Sequence, residues 1–210
     1  MSERRFTPHA ASRVSLETRS ADQPPAIVGY GAVFYDGTER TEYKLWDDLI
    51  ERIMPGAFDR AVRERDDARG LFNHDSNMVL GRVSAGTLQL SIDKTGLRFA
   101  IDPGKTTVAA DVMEHIRRGD VQGCSFAFRV IEQVWRSVDK IDYREIMAVE
   151  LFDVGPVTFP AYEATSVGVR SKEFGDDART ARDKWRESER EILHRNRLRQ
   201  AEVAEIEAKI

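Results

Sequence analysis

One cysteine, Cys124, is all the thiol this 210-residue chain carries. No disulfide can form within it, so a core has to hold the fold, and the composition fits a reducing compartment. A cysteine-type zinc site is excluded as well. The four histidines, His9, His74, His115 and His194, are too scattered to make a ligand cluster. No apolar run approaches the roughly 20 residues that a membrane helix needs. The opening stretch, Met1 to Arg13, is polar and lacks the apolar segment of a signal peptide. A soluble, cytoplasmic protein is therefore expected. An excess of one charge is also missing. The chain has 32 basic and 36 acidic residues, a net charge of -4, so nothing marks nucleic acid as the main partner.

What is present divides unevenly along the chain. Hydrophobic residues make up 41%, enough for a core. Charged residues make up 32%, which points to a segment that is mostly solvated surface. Proline stops at Pro160 and glycine at Gly175. The sequence thus predicts a polar N-terminal arm over 1–25, a strand-rich domain over 26–172 and a charged helical extension over 173–210. The arm is expected to be loose, with one strand within Ser12 to Thr18.

In the domain, Leu88, Leu90 and Ile92 alternate with polar residues, as do Leu97, Phe99 and Ile101. With Lys94-Thr95-Gly96 between them, they read as a hairpin. Val108, Val112 and Ile116 recur every four residues before Gly119, which predicts a helix over Thr107 to Arg118 with a glycine cap. Further strands are expected over Ala26 to Phe34, Gly70 to Val83, Gly123 to Trp135 and Tyr143 to Phe159. A short helix is expected over Phe58 to Arg65. The fold class is mainly β with peripheral helices, a small antiparallel barrel or sandwich. In the extension, Trp185, Ile192, Val203, Ile206 and Ile210 fall on one stripe at heptad spacing. That stripe suits either a solvated helix or a partner helix.

Three spots combine reactive side chains with strand edges: Asn73-His74-Asp75, Gly123-Cys124-Ser125-Phe126, and Glu150-Leu151-Phe152-Asp153. Each has an ordinary structural explanation. A histidine among apolar residues is commonly a satisfied core group. A strand serine can bond to backbone, and a strand carboxylate can pair with an arginine. Together they hold the ingredients of acyl transfer. A serine hydroxyl needs a base, histidine suits that task near neutrality, and a carboxylate can hold the imidazole in one tautomer.

The wording of the motifs goes further. Tyr43-Lys44-Leu45-Trp46, Glu51-Arg52-Ile53-Met54-Pro55-Gly56-Ala57-Phe58 and Leu71-Phe72-Asn73-His74-Asp75 resemble blocks of the phage prohead proteases. So do Leu80-Gly81-Arg82, Gly86-Thr87-Leu88 and the run from Arg118 to Phe128. The last block is Leu151-Phe152-Asp153-Val154-Gly155-Pro156-Val157-Thr158-Phe159-Pro160-Ala161-Tyr162. The ordered match runs from about Gly29 to Val169, roughly two thirds of the chain.

That family resembles the herpesvirus maturation protease, assemblin. The resemblance implies a closed antiparallel β-barrel surrounded by helices. It implies His74 as general base and Ser125 as nucleophile. For the third member, the family usually has glutamate where this chain has Asp153; Glu150 is the fallback. Cys124 is a competent nucleophile beside Ser125, but strand neighbours point to opposite faces, and the small Ala127 shares the Ser125 face. Asp75 is expected to point away from His74 for the same reason. Arg82 and Arg129 are the arginines available for an oxyanion site. No metal or cofactor is implied.

By resemblance the substrates are the scaffold domain of the major capsid protein, any separate scaffold, and the protease itself, which leaves room for a dimer. No nucleic acid or membrane partner is implied. The place of action is the bacterial cytoplasm, inside the phage prohead. The rival readings are a catalytically inactive capsid-assembly module and an esterase that uses the same three residues.

Overall fold

The computed structural model describes residues 2–8, 13–19, 24–159 and 170–207. The chain divides into two compact units, Met1–Phe174 and Gly175–Ile210. Among the described residues, eleven strands and three α-helices follow in order: β1 Glu3–Phe6, β2 Ser15–Glu17, β3 Ala26–Val33, β4 Tyr43–Trp46, β5 Leu49–Ile53, α1 Asp59–Arg63, β6 Arg69–Leu71 and β7 Val79–Arg82. Then come β8 Leu88–Ile92, β9 Gly96–Ile101, α2 Thr107–Arg118, β10 Gly123–Val138, β11 Ile141–Val157 and α3 Arg170–Glu207.

The strong local signals become elements where they stand in the sequence. β8 and β9 are the alternating hairpin. Asp93 closes its turn by accepting from the backbone N–H of Thr95 at 2.7 Å and of Gly96 at 3.2 Å. Helix α2 begins at the N-cap Thr106, whose hydroxyl accepts from the Ala109 N–H, and ends at Gly119 with φ 82°. That left-handed cap strains any residue with a Cβ.

The strands form two sheets. The larger runs β1-β10-β11-β5-β4, with β6 also on β11 and β7 outside β6; the smaller runs β2-β3-β9-β8. The mainly β class is as expected, but the closed antiparallel barrel is not formed among the described residues. β5 and β6 both run parallel to β11, at Asp142 to Ile146 and at Asp153 to Val154. The 17-residue β11 is long enough to take two short strands in succession on one edge. The connection through α1 returns the second in the same direction as the first. Among the described residues, β1 and β4 therefore end the main path of the larger sheet instead of pairing with each other, and β7 ends the branch through β6.

Aromatic packing marks the core. Phe126 and Phe128, two apart on β10, stack at 4.8 Å, and Phe58 and Tyr43 meet Phe126 edge-on at 5.6 and 6.2 Å.

The start of the N-terminal arm, Glu3–Phe6, departs from the loose structure its composition predicts. β1 pairs with β10, placing Phe6 opposite Ser125. Glu3 and Arg5 are buried, together with Glu51 of β5 and Arg144 of β11. Arg5 donates through Nε to Glu51 at 2.6 Å and through Nη2 to Glu3 at 2.7 Å. Arg144 donates through Nη1 to Glu3 at 2.6 Å and to Glu51 at 2.9 Å, and through Nε to Gln133 at 2.6 Å. Two carboxylates thus face two guanidiniums, and each charge is hydrogen-bonded. Burial by itself would raise the Glu3 carboxyl. The Arg144 hydrogen bonds and the charges of Arg5 and Arg144 outweigh it and hold that carboxyl below its ordinary value. In sequence these residues look like surface charges because their partners lie 46 and 141 positions away.

The described residues of the second unit, 175–207, all belong to α3. Ile192, Leu193 and Leu198 are exposed on it. The side chains of Val203, Ile206 and Ile210, expected on the apolar stripe, lie outside the described residues, as do Pro160 to Tyr162 of the last motif. Among the described residues, no helix is long and apolar enough to cross a membrane.

Candidate active site

The long hairpin β10–β11 sets the frame. Ser125 pairs with Gly155, and Ala127 with Asp153. Residues two apart on a strand share a face, so Ser125 and Asp153 lie diagonally on one face of the sheet. Gly155, opposite the serine, has a specific reason to be glycine. A Cβ there would lie 1.9 Å from the carbonyl oxygen of Leu71. Its absence lets the end of β6 settle directly onto β11, and β6 leads into the loop that carries His74.

His74 closes the arrangement. Its Nδ1 lies 2.5 Å from Asp153 Oδ1 and its Nε2 lies 2.6 Å from Ser125 Oγ. With Asp153 ionised, Nδ1 carries the ring proton and Nε2 presents its lone pair to the serine hydroxyl. His74 is not on a strand, as its apolar neighbours suggested. It sits in the β6–β7 loop, where Asn73 and His74 both have left-handed φ values, 55° and 58°. Such conformations cost on the order of 1–3 kcal/mol each and persist where the surroundings over-determine them.

The site is closed over. Ser125 is fully buried, and the His74 and Asp153 side chains are 5% and 11% exposed. The backbone carbonyl of Arg5, on β1, also accepts from Ser125 Oγ, at 2.8 Å. One hydroxyl proton cannot serve both acceptors at once. When Nε2 holds a lone pair, the imidazole and the Arg5 carbonyl compete for it.

The other candidates are engaged elsewhere. Glu150 pairs with Arg129 at 2.5 Å, the two standing opposite each other on β11 and β10. Arg82 pairs with Asp67, through Nε at 3.0 Å. Asp75 accepts from the N–H and side-chain amide of Asn77. Cys124 is buried, with Sγ filling the space beside Gly29. Among the described residues, no group of three or more histidine, cysteine, aspartate or glutamate side chains could hold a metal ion. The chain's own groups can remove a serine proton and return it to a leaving group, which is the chemistry of acyl transfer.

The model of the Caudovirus prohead serine protease family matches residues 13–179. The chain belongs to that family. This prohead serine protease is also similar to a solved structure, that of the bacteriophage T4 capsid assembly protease, gp21. The TM-score is 0.46 at 13% identity, over 76% of this chain and 97% of that one. No curated protein matches the prohead protease.

Sequence reading overlooked two parts of the site. The Arg5 carbonyl is a backbone group in an arm that reads as polar, so no residue type announces it. Gly155 lies in the motif Leu151 to Tyr162, and its role emerges only from the close approach of Leu71.

Proposed function

We propose that the protein hydrolyses peptide bonds through an acyl-enzyme, with Ser125 as nucleophile, His74 as general base and Asp153 as the carboxylate that orients and stabilises the imidazole. The observation that carries this reading is the continuous chain Asp153–His74–Ser125, with contacts of 2.5 and 2.6 Å on the two ring nitrogens. Ser125 Oγ attacks the scissile carbonyl carbon while its proton passes to Nε2. Asp153 faces the imidazolium that forms. His74 then gives the proton to the leaving amine, and water repeats the sequence to release the acid product. Glu150 has no part in this scheme, because its carboxylate is held by Arg129.

In this reading the substrates are the scaffold domain of the major capsid protein, separate scaffold where present, and other copies of the protease. The work is done inside the prohead. The exposed apolar residues of the charged helix α3 suit docking on helical scaffold.

The test is co-expression of wild type and Ser125→Ala with the cognate major capsid protein, read by intact mass spectrometry. Trimming of capsid protein and protease by the wild type, absent in Ser125→Ala, is the expected outcome. Trimming that survives in Ser125→Ala removes Ser125 from the mechanism. No trimming by either chain favours the inactive assembly module.

A further inference from the structure

We propose that Asn73 is a positioning residue: its side-chain amide fastens the His74 loop to Thr158, directly after the strand that carries Asp153, and so sets the imidazole between its two partners. The inference rests on the Ser125–His74–Asp153 reading above.

The loop has a demanding task. It leaves β6 at Leu71 and must hold one ring against groups on two neighbouring strands. β6 stops pairing with β11 at Gly70. The hydrogen bonds from Phe72 N–H to Met78, from Asp75 N–H to Phe72 and from Met78 N–H to Asp75 close the loop on itself. None of them ties it to β11.

Asn73 supplies that tie. Its backbone N–H donates to the Pro156 carbonyl at 3.1 Å. Its Oδ1 accepts from the Thr158 N–H at 2.9 Å. Its Nδ2 donates to Thr158 Oγ1 at 3.0 Å. The side-chain amide stands in for a peptide group and continues the β6–β11 pairing past the point where the strands part. The left-handed φ of Asn73 is one that asparagine tolerates better than most residues. It turns the chain so that His74, next along and also left-handed, faces the sheet. The residue type therefore answers two needs at once: the backbone conformation and the amide that locks it. Asn73 makes its bonds to Pro156 at the end of β11 and to Thr158 just past it, and acts on the chemistry through His74 alone.

The test uses the full chain and a fluorophosphonate probe. Phosphonylation forms the Oγ–P bond, breaks the P–F bond, releases fluoride and passes the serine proton to His74 Nε2. Maximal inactivation rate and probe affinity are measured separately, together with the proton NMR resonance of the His74 Nδ1–H. Asn73→Gly keeps the left-handed freedom and removes the amide. It is expected to lower the maximal rate by roughly ten-fold or more, to leave probe affinity within about two-fold, and to broaden or lose the Nδ1–H resonance. Asn73→Asp keeps acceptors for the Thr158 N–H and hydroxyl, and should retain the resonance and most of the rate. An Asn73→Gly chain within about two-fold of wild type in rate, with its resonance intact, overturns the proposal. If that variant fails to fold, Thr158→Val removes one leg of the clamp and carries the same decision: unchanged rate and resonance sink it. His74→Ala separates the two readings. Labelling that survives in His74→Ala refutes the triad itself. Labelling lost there but intact in Asn73→Gly refutes only the clamp.

Discussion

Replacing Arg144 by methionine isolates the buried charge cluster. Arg144 is 2% exposed and donates to Glu3, Glu51 and Gln133. Methionine fills similar space without charge. Glu3 and Glu51 then share the single guanidinium of Arg5, and one buried negative charge is uncompensated. Breaking a buried pair by removing one partner costs about 3–5 kcal/mol. For a chain of this size, each kcal/mol moves the melting temperature by roughly 2–4 °C, so the loss should be about 6–20 °C. Adding Glu3→Gln restores balance, one carboxylate against one guanidinium, and should recover much of the loss. Calorimetry of the three chains measures this, and amide exchange locates it, since β1 and its β10 partners should open first.

The same variant changes the acid side of the stability profile. In the wild type the Glu3 carboxyl is held below its ordinary value of 4.5 when folded. A depressed carboxylate contributes stability that is present above about 4.5 and lost as pH falls through the lower folded value. Arg144→Met removes the main hydrogen-bonding partner behind that depression, so its melting temperature should fall less steeply on acidification. A melting shift under about 2 °C at neutral pH, or a double variant no better than the single one, would refute the reasoning.

Two further outcomes follow from the site. Asp153→Asn removes the acceptor that fixes the Nδ1–H tautomer, so phosphonylation and peptide cleavage should fall by roughly 10⁴-fold while the fold persists by circular dichroism; near wild-type rates would remove Asp153 from the mechanism. Gly155→Ala puts a methyl group 1.9 Å from the Leu71 carbonyl oxygen. It should cost about 1–3 kcal/mol in thermal unfolding and abolish Ser125 labelling by lifting β6, whereas unchanged labelling would show that the close approach is not needed.

Legibility in the sequence tracked the range of the interactions. The hairpin β8–β9 and helix α2 rest on alternation, a turn and a capping glycine within a few residues, and they form where that pattern stands. The three reactive residues were visible because each sits in a compact motif. Their meeting was not visible, since His74 and Asp153 are 79 positions apart and His74 and Ser125 are 51 apart. The barrel expectation failed for a related reason. Alternation announces a strand but not the direction of its neighbour, and the parallel pairing of β5 and β6 with β11 depends on how the chain crosses through α1. β1 is the plainest miss. Glu-Arg-Arg-Phe reads as solvated, and the ion pairs of Glu3 and Arg5 with each other and with Glu51 and Arg144 make its burial tolerable.

The position of the carboxylate follows from the sheet itself. Ser125 and Asp153 occupy diagonal sites on adjacent antiparallel strands, a separation that one imidazole can bridge. A glutamate at position 153 would be one methylene longer and would push the ring toward the serine unless the loop drew back. Here the loop cannot easily draw back. Leu71 is seated on Gly155, and Asn73 is bonded to Pro156 and Thr158. A short carboxylate and a tightly seated loop are therefore matched. The Asp153→Glu variant should consequently lose more activity than its conserved chemistry suggests. Relaxing the clamp with Asn73→Gly in the same chain should then cost less than it does alone, a non-additivity that independent sites would not give.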